Sequence, residues 1–238
     1  MRTGLLLSCL LLSGFSGLAY ELLWVRLLSL SFGSTTASLS AVLAVFFGGL
    51  ALGSRLAGGL AGRVGSPIRA YAIIEGAMAL FGLGLYPCLK NLDDLFARLD
   101  PGSSFAGMMA RVGVATPLLL GPTVLMGATL PLMSRALTRQ DRQAPSSTAW
   151  IYGTNTLGAC LGAYVITYWG IASFGVLGSV LLTSAVNLAA AGLAVWISRR
   201  EEKGMALWEF SAVAGNSKRG LLPYLVRRWK SALLPEKQ

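Results

Sequence analysis

The sequence predicts an all-α integral membrane protein, a six-transmembrane-helix bundle with both termini in the cytoplasm, and three observations carry this. The chain of 238 residues is 54% hydrophobic and 13% charged with a mean hydropathy of +0.63, far from the balance of a water-soluble domain. Apolar runs of roughly 20 residues recur along it, each long enough at 1.5 Å per residue to cross a hydrocarbon core about 30 Å thick. Basic residues collect on one side of those runs, as they do in the cytoplasmic loops of membrane proteins.

The first span covers 5–30. Its apolar run continues to about Phe32 without an A-x-A site, so it reads as an uncleaved first helix rather than a signal peptide. The second covers 37–56 and the third 70–89. The fourth, 109–133, contains Pro117, Pro122, Gly127 and Pro131 and is expected to break. Pro122, Gly127 and Pro131 are the candidate broken-helix elements, because freed backbone groups at membrane depth bind substrates and ions in transporters. The fifth span, 150–169, carries Tyr152, Thr154, Asn155, Thr156, Tyr164, Thr167 and Tyr168, and the sixth, 174–197, carries Thr183, Ser184 and Asn187. These polar groups are expected mainly to hydrogen-bond between helices. GxxxG spacings at Gly49/Gly53, Gly58/Gly62 and Gly158/Gly162 allow backbones to approach closely.

With six crossings, one side holds sixteen Lys and Arg: Arg2, Arg55, Arg63, Arg69, Arg135, Arg139, Arg142 and nine in the tail from Arg199 to Lys237. The other side holds Arg26, Lys90, Arg98 and Arg111. This places both termini inside at the cell's inner (cytoplasmic) membrane, and the net charge of +10 then needs no nucleic-acid partner. The chain divides into a transmembrane domain, 1–198, and a basic cytoplasmic tail, 199–238. A short loop helix is expected between spans three and four, where Leu92, Leu95, Phe96 and Leu99 share a face. In the tail, Leu225, Trp229 and Leu233 share one side of an amphipathic helix whose other side holds Arg227, Arg228 and Lys230. Arg227, Arg228, Trp229 and Lys230 would sit on an anionic lipid surface or dock on a partner.

Ionisable groups inside a bilayer are costly and become candidate functional residues. Glu21, Arg26 and Glu75 are those groups, and Glu21 shares a face with Gly14, Gly17 and Trp24. Glu21 falls near mid-membrane and Glu75 about 7 Å from the inner end of its helix, which suits two stations along a path or two structural contacts better than one tight pair. Glu21, Trp24, Arg26, Glu75 and Asn155 are the candidate substrate or ion pathway. No cofactor or metal is expected: the chain has no histidine, and Cys9, Cys88 and Cys160 lie singly in apolar runs.

Three stretches, Ser13–Leu28, Pro122–Arg135 and Tyr152–Ala159, resemble the membrane region of the fused major-facilitator/spermidine synthase family. Gly59–Gly65 is similar to a loop motif of major-facilitator transporters, with Gly62 at the motif's acidic position. The resemblance implies a bundle like half of a major-facilitator transporter, with Glu21, Trp24, Arg26 and Glu75 on family-like positions and a small cation such as a polyamine as cargo. The last aspartate is Asp141, so the tail holds no aspartate from which the family's synthase could be built. The expectation is therefore a chain that is not an enzyme. It is either transporter-like or an accessory subunit in a larger membrane complex, with the bilayer, a second copy, other membrane subunits or a separate soluble synthase chain as partners.

Overall fold

The computed structural model describes residues 2–32, 36–99, 105–138 and 146–215, and all of its regular structure is helical. The elements are α1 (Arg2–Phe32), α2 (Thr36–Leu60), α3 (Pro67–Lys90), α4 (Leu92–Leu99), α5 (Phe105–Thr138), α6 (Ser146–Val165), a π-helical turn (Ile166–Gly170) and α7 (Ile171–Gly215). The chain forms two units, 1–197 and 198–238. The predicted amphipathic helix of the tail, with Arg227, Arg228, Trp229 and Lys230, lies outside the described residues.

Local chemistry sets several boundaries. Ser66 caps α3 by accepting from the Arg69 backbone N–H at 3.4 Å, and Pro67 follows at the first helical position, where its missing N–H costs nothing. The chain continues helically from α6 through the π turn into α7, a 54-residue apolar stretch from Thr148 to Glu201. At about 80 Å, such a stretch is far too long for one crossing. It is divided at Gly175, whose φ of 67° and ψ of −175° belong to a region open essentially to glycine alone.

Contacts on either side of Gly175 show that the chain doubles back there. Along α1, Leu11 and Phe15 meet Gly158 and Gly162 of α6, so these two helices run parallel. Cys9 instead faces Ala190 and Tyr20 faces Ser184, so α7 runs antiparallel to α1. The same reasoning makes α3 parallel to α1, through Tyr71 on Cys9 and Gly82 on Tyr20. It makes α5 parallel to α2, through Gly49 on Thr123 and Gly62 on Arg135. α3 meets α5 in reverse order, with Tyr71 in one cluster with Met133 and Leu85 in another with Leu119, so successive long helices alternate in direction.

The fourth predicted span does not break. α5 is one helix from Phe105 to Thr138 despite Pro117, Pro122 and Pro131 inside it. Each proline removes one N–H, but packing against α2 and α3 holds the helix. Thr116, Thr123 and Thr129 turn their hydroxyls back to carbonyls of their own helix at 2.7–2.8 Å, which satisfies the hydroxyls within α5. The break expected in α5 occurs instead at Gly175.

Without a hydrophobic drive between helices in lipid, close packing rests on small residues. The tightest pairs are α2 with α5 and α1 with α6. In α1/α6, Gly14 faces Asn155 and Gly158 faces Leu11; in α2/α5, Gly127 faces Leu50 and Gly53 faces Val124. The two arrangements have the same spacing, three residues on each helix. The Gly48–Leu56 segment, GGLALGSRL, also echoes Gly153–Leu161, GTNTLGACL. Helices α1 and α2 are thus packed like α5 and α6 with opposite directions, which divides the bundle into halves α1–α3 and α5–α7. Gly58/Gly62 takes no part, since nothing lies near Gly58 and only the Arg135 side chain comes within 4 Å of Gly62.

Buried side chains form one large apolar cluster around Tyr20, Trp24, Leu28, Met78 and Leu119, which Leu92 and Phe96 of α4 join. A second gathers around Leu6, Leu10, Tyr71, Met133 and Ile197.

Candidate functional site

Between the α1/α6 and α2/α5 pairs lies a cavity of about 480 Å³, within the size range of small-molecule sites. Its wall is mostly apolar, from Phe46, Leu50, Met78, Met126 and Leu130. Its polar groups are Ser13, Ser16, Glu21, Ser54, Glu75, Thr129, Tyr152, Asn155 and Asn187. Phe47, Ala51, Ser54 and Tyr152 are the exposed part of the lining, so the mouth lies between α2 and α6.

Two groups stand out because the fold leaves them unsatisfied. Glu75 and Asn187 are each 2% exposed, and Glu75 Oε1 and Asn187 Oδ1 have no hydrogen-bond partner. A buried acceptor left unmade costs about 1–3 kcal/mol, more when charged. Ser13 and Tyr71 are the polar neighbours of Glu75, although the Tyr71 hydroxyl donates to the Cys9 carbonyl at 2.8 Å. Several hydroxyls nearby are already engaged: Ser16 donates to the Leu12 carbonyl at 3.0 Å and Thr129 to the Met126 carbonyl at 2.7 Å.

Glu21 also lines the cavity and is 9% exposed. Because α1 and α3 run side by side in register, Glu75 lies level with Ser13, and Glu21 lies eight residues further along. That is about 12 Å of helix. α3 begins at Pro67, earlier than the sequence pattern indicates, which also places Glu75 about 12 Å from that helix end rather than 7 Å.

The other predicted site residues separate into two groups. Asn155 and Gly127 line the cavity with Glu21 and Glu75, whereas Pro122 and Pro131 do not. Trp24 is 1% exposed and stacks on Tyr20 with ring centroids 5.3 Å apart, so it belongs to the apolar cluster. Arg26 is exposed and away from the cavity.

Asn187 is the residue that the sequence reading assigned only to helix packing. The contacts between helices relate it to Glu75. The correspondence of Gly14 with Gly127 matches Tyr20 to Met133 and Cys9 to Pro122. The partners of Tyr20 and Cys9 on α7, Ser184 and Ala190, then match the part of α3 that packs on α5, and Asn187 falls within about a turn of the place of Glu75. The two unsatisfied oxygens therefore come from the same region of the two halves.

The chain is 29% identical over 201 residues to polyamine aminopropyltransferase 1 of Streptomyces coelicolor. That alignment covers 84% of this chain and 35% of the relative, so the chain spans about a third of the relative's length. No family model and no solved structure matches. The similarity corrects one expectation: the chain was read as not enzymatic, and the protein it resembles is named as a transferase.

Proposed function

We propose that this chain is the membrane-embedded part of a polyamine-handling protein and that its cavity binds a small cationic amine. The carrying observation is the convergence of two carboxylates and a buried amide in one cavity among apolar helices, which favours a cation over an anion. Similarity to a polyamine aminopropyltransferase supports a polyamine as the amine and aminopropyl transfer as the activity that the cavity serves. The two oppositely directed halves support a body like half of a major-facilitator transporter, with the cavity as a station for an amine entering or crossing the membrane. Sixteen of the twenty Lys and Arg on one side support the inner membrane with both termini cytoplasmic. The open mouth between α2 and α6 fits a second copy of the chain as the partner that closes it.

Equilibrium binding of a labelled polyamine to the purified protein in lipid nanodiscs tests the reading. Saturable binding is expected, weakened at least about tenfold by Glu75→Gln and by Glu21→Gln. Binding unaffected by both substitutions would overturn it.

A further inference from the structure

We infer that the cavity seats a linear amine charged at both ends, one primary ammonium between Glu75 and Asn187 and the other at Glu21. This rests on the amine-binding reading above and specifies the ligand's shape.

Glu75 Oε1 on α3 and Asn187 Oδ1 on α7 both line the cavity with nothing to accept from, and the contacts of α3 and α7 with α1 put both near the level of Ser13. A primary ammonium has three N–H donors and no acceptor, so it satisfies both and has one N–H left. The Ser13 hydroxyl, which lines the cavity and hydrogen-bonds to Glu75, keeps its oxygen lone pairs as an acceptor for it. With one carboxylate and neutral oxygens, this seat balances a single positive charge. A bare monovalent ion would satisfy the same oxygens and leave most of a 480 Å³ cavity unused.

The rest of the cavity explains the body of the ligand. Glu21 lies about 12 Å along α1 from the level of Glu75. The wall of Phe46, Met78, Met126 and Leu130 offers nothing to a polar chain and suits methylenes. An amine with one charge leaves one carboxylate unmatched, and a diamine too short to span reaches only one station. Length is then the selected property.

The test measures affinities, in nanodiscs, of straight-chain α,ω-diamines from diaminopropane to diaminododecane beside the n-alkylamine of each length. Affinity is expected to rise with chain length to an optimum, where the diamine binds at least about tenfold more tightly than its monoamine, a typical minimum for a desolvated charge pair. Glu21→Gln should remove that advantage and leave the monoamines unchanged. Asn187→Leu should weaken both ligands alike, and Asn187→Asp, which keeps the acceptor and adds charge, should keep or strengthen binding even if the leucine variant fails to fold. Amines that bind with no length optimum and no preference for two charges would overturn the two-ended seat while leaving the amine reading intact. Failure of every amine to bind would overturn both.

Discussion

The Tyr20 phenol and the Ser184 hydroxyl lie 2.8 Å apart in the buried seam between α1 and α7, and the same tyrosine ring occupies the space that Gly82 leaves on α3. One side chain thus ties three helices together, and its two contacts should respond differently to mutation. Tyr20→Phe deletes one interhelical hydrogen bond, worth on the order of 0.6 kcal/mol in a membrane protein. Gly82→Ala drives a methyl group into a ring that cannot yield, because Tyr20 is fully buried and stacked on Trp24. That overpacking should cost about 1–3 kcal/mol. Thermal denaturation in detergent should therefore rank Gly82→Ala well below Tyr20→Phe, and the opposite order would refute the packing described.

Glycines that look alike in sequence should separate sharply. A Cβ on Gly53, Gly127, Gly158 or Gly162 would collide with the backbone of the facing helix, while Gly17, Gly48, Gly58 and Gly153 have nothing within 4 Å. Alanine in the first set should lower the yield of monodisperse protein and its melting temperature by several degrees, at about 1–3 kcal/mol per site. In the second set alanine should be neutral or slightly stabilising, because helical glycine is about 1 kcal/mol worse than alanine. Fluorescence-detected size exclusion across a temperature series reads both.

Removing an unsatisfied group should strengthen the bundle and silence the site. Asn187→Leu replaces an amide whose oxygen has no partner with an apolar side chain of similar size. The unliganded protein should gain about 1–3 kcal/mol while amine binding falls. Melting temperatures with and without a saturating diamine give both readouts; a destabilised variant would mean that the amide serves packing.

Gly175→Ala should cost about 1–3 kcal/mol, because φ of 67° with ψ of −175° is strained for any residue with a Cβ, although nothing crowds the position. A melting temperature unchanged by this substitution would argue against the reversal.

The Arg135 guanidinium donates to the Gly62 carbonyl at 3.1 Å, tying the end of α5 to the turn after α2. The contact is exposed, so Arg135→Ala should change stability by less than about 1 kcal/mol. Limited proteolysis at Arg63 should nevertheless become faster.

The apolar spans were legible because a run long enough to cross a bilayer needs no knowledge of its neighbours. Glu21 and Glu75 were legible as candidates because charge among apolar residues is rare, and both face the cavity. What a linear pattern cannot give is the partner on each face of a helix. Trp24 shares the Glu21 side of α1 in sequence, yet α3 and α5 enclose it in the apolar cluster. Proline content misled at α5, which stays one continuous helix packed against its neighbours, and a single glycine at 175 carried no signal comparable to the reversal it makes. Asn187 was passed over because a neutral amide looks like any other hydrogen-bonding group until its oxygen is found without a partner.

The α1/α6 and α5/α2 pairs are built alike and face opposite ways, so the polarity of the cavity between them is set by its side chains. Here it is lopsided: Glu21 and Glu75 both belong to the first half, and the corresponding places in the second hold Ser134 and Asn187, which carry no charge. A cation in the cavity would feel a gradient that the backbone does not supply.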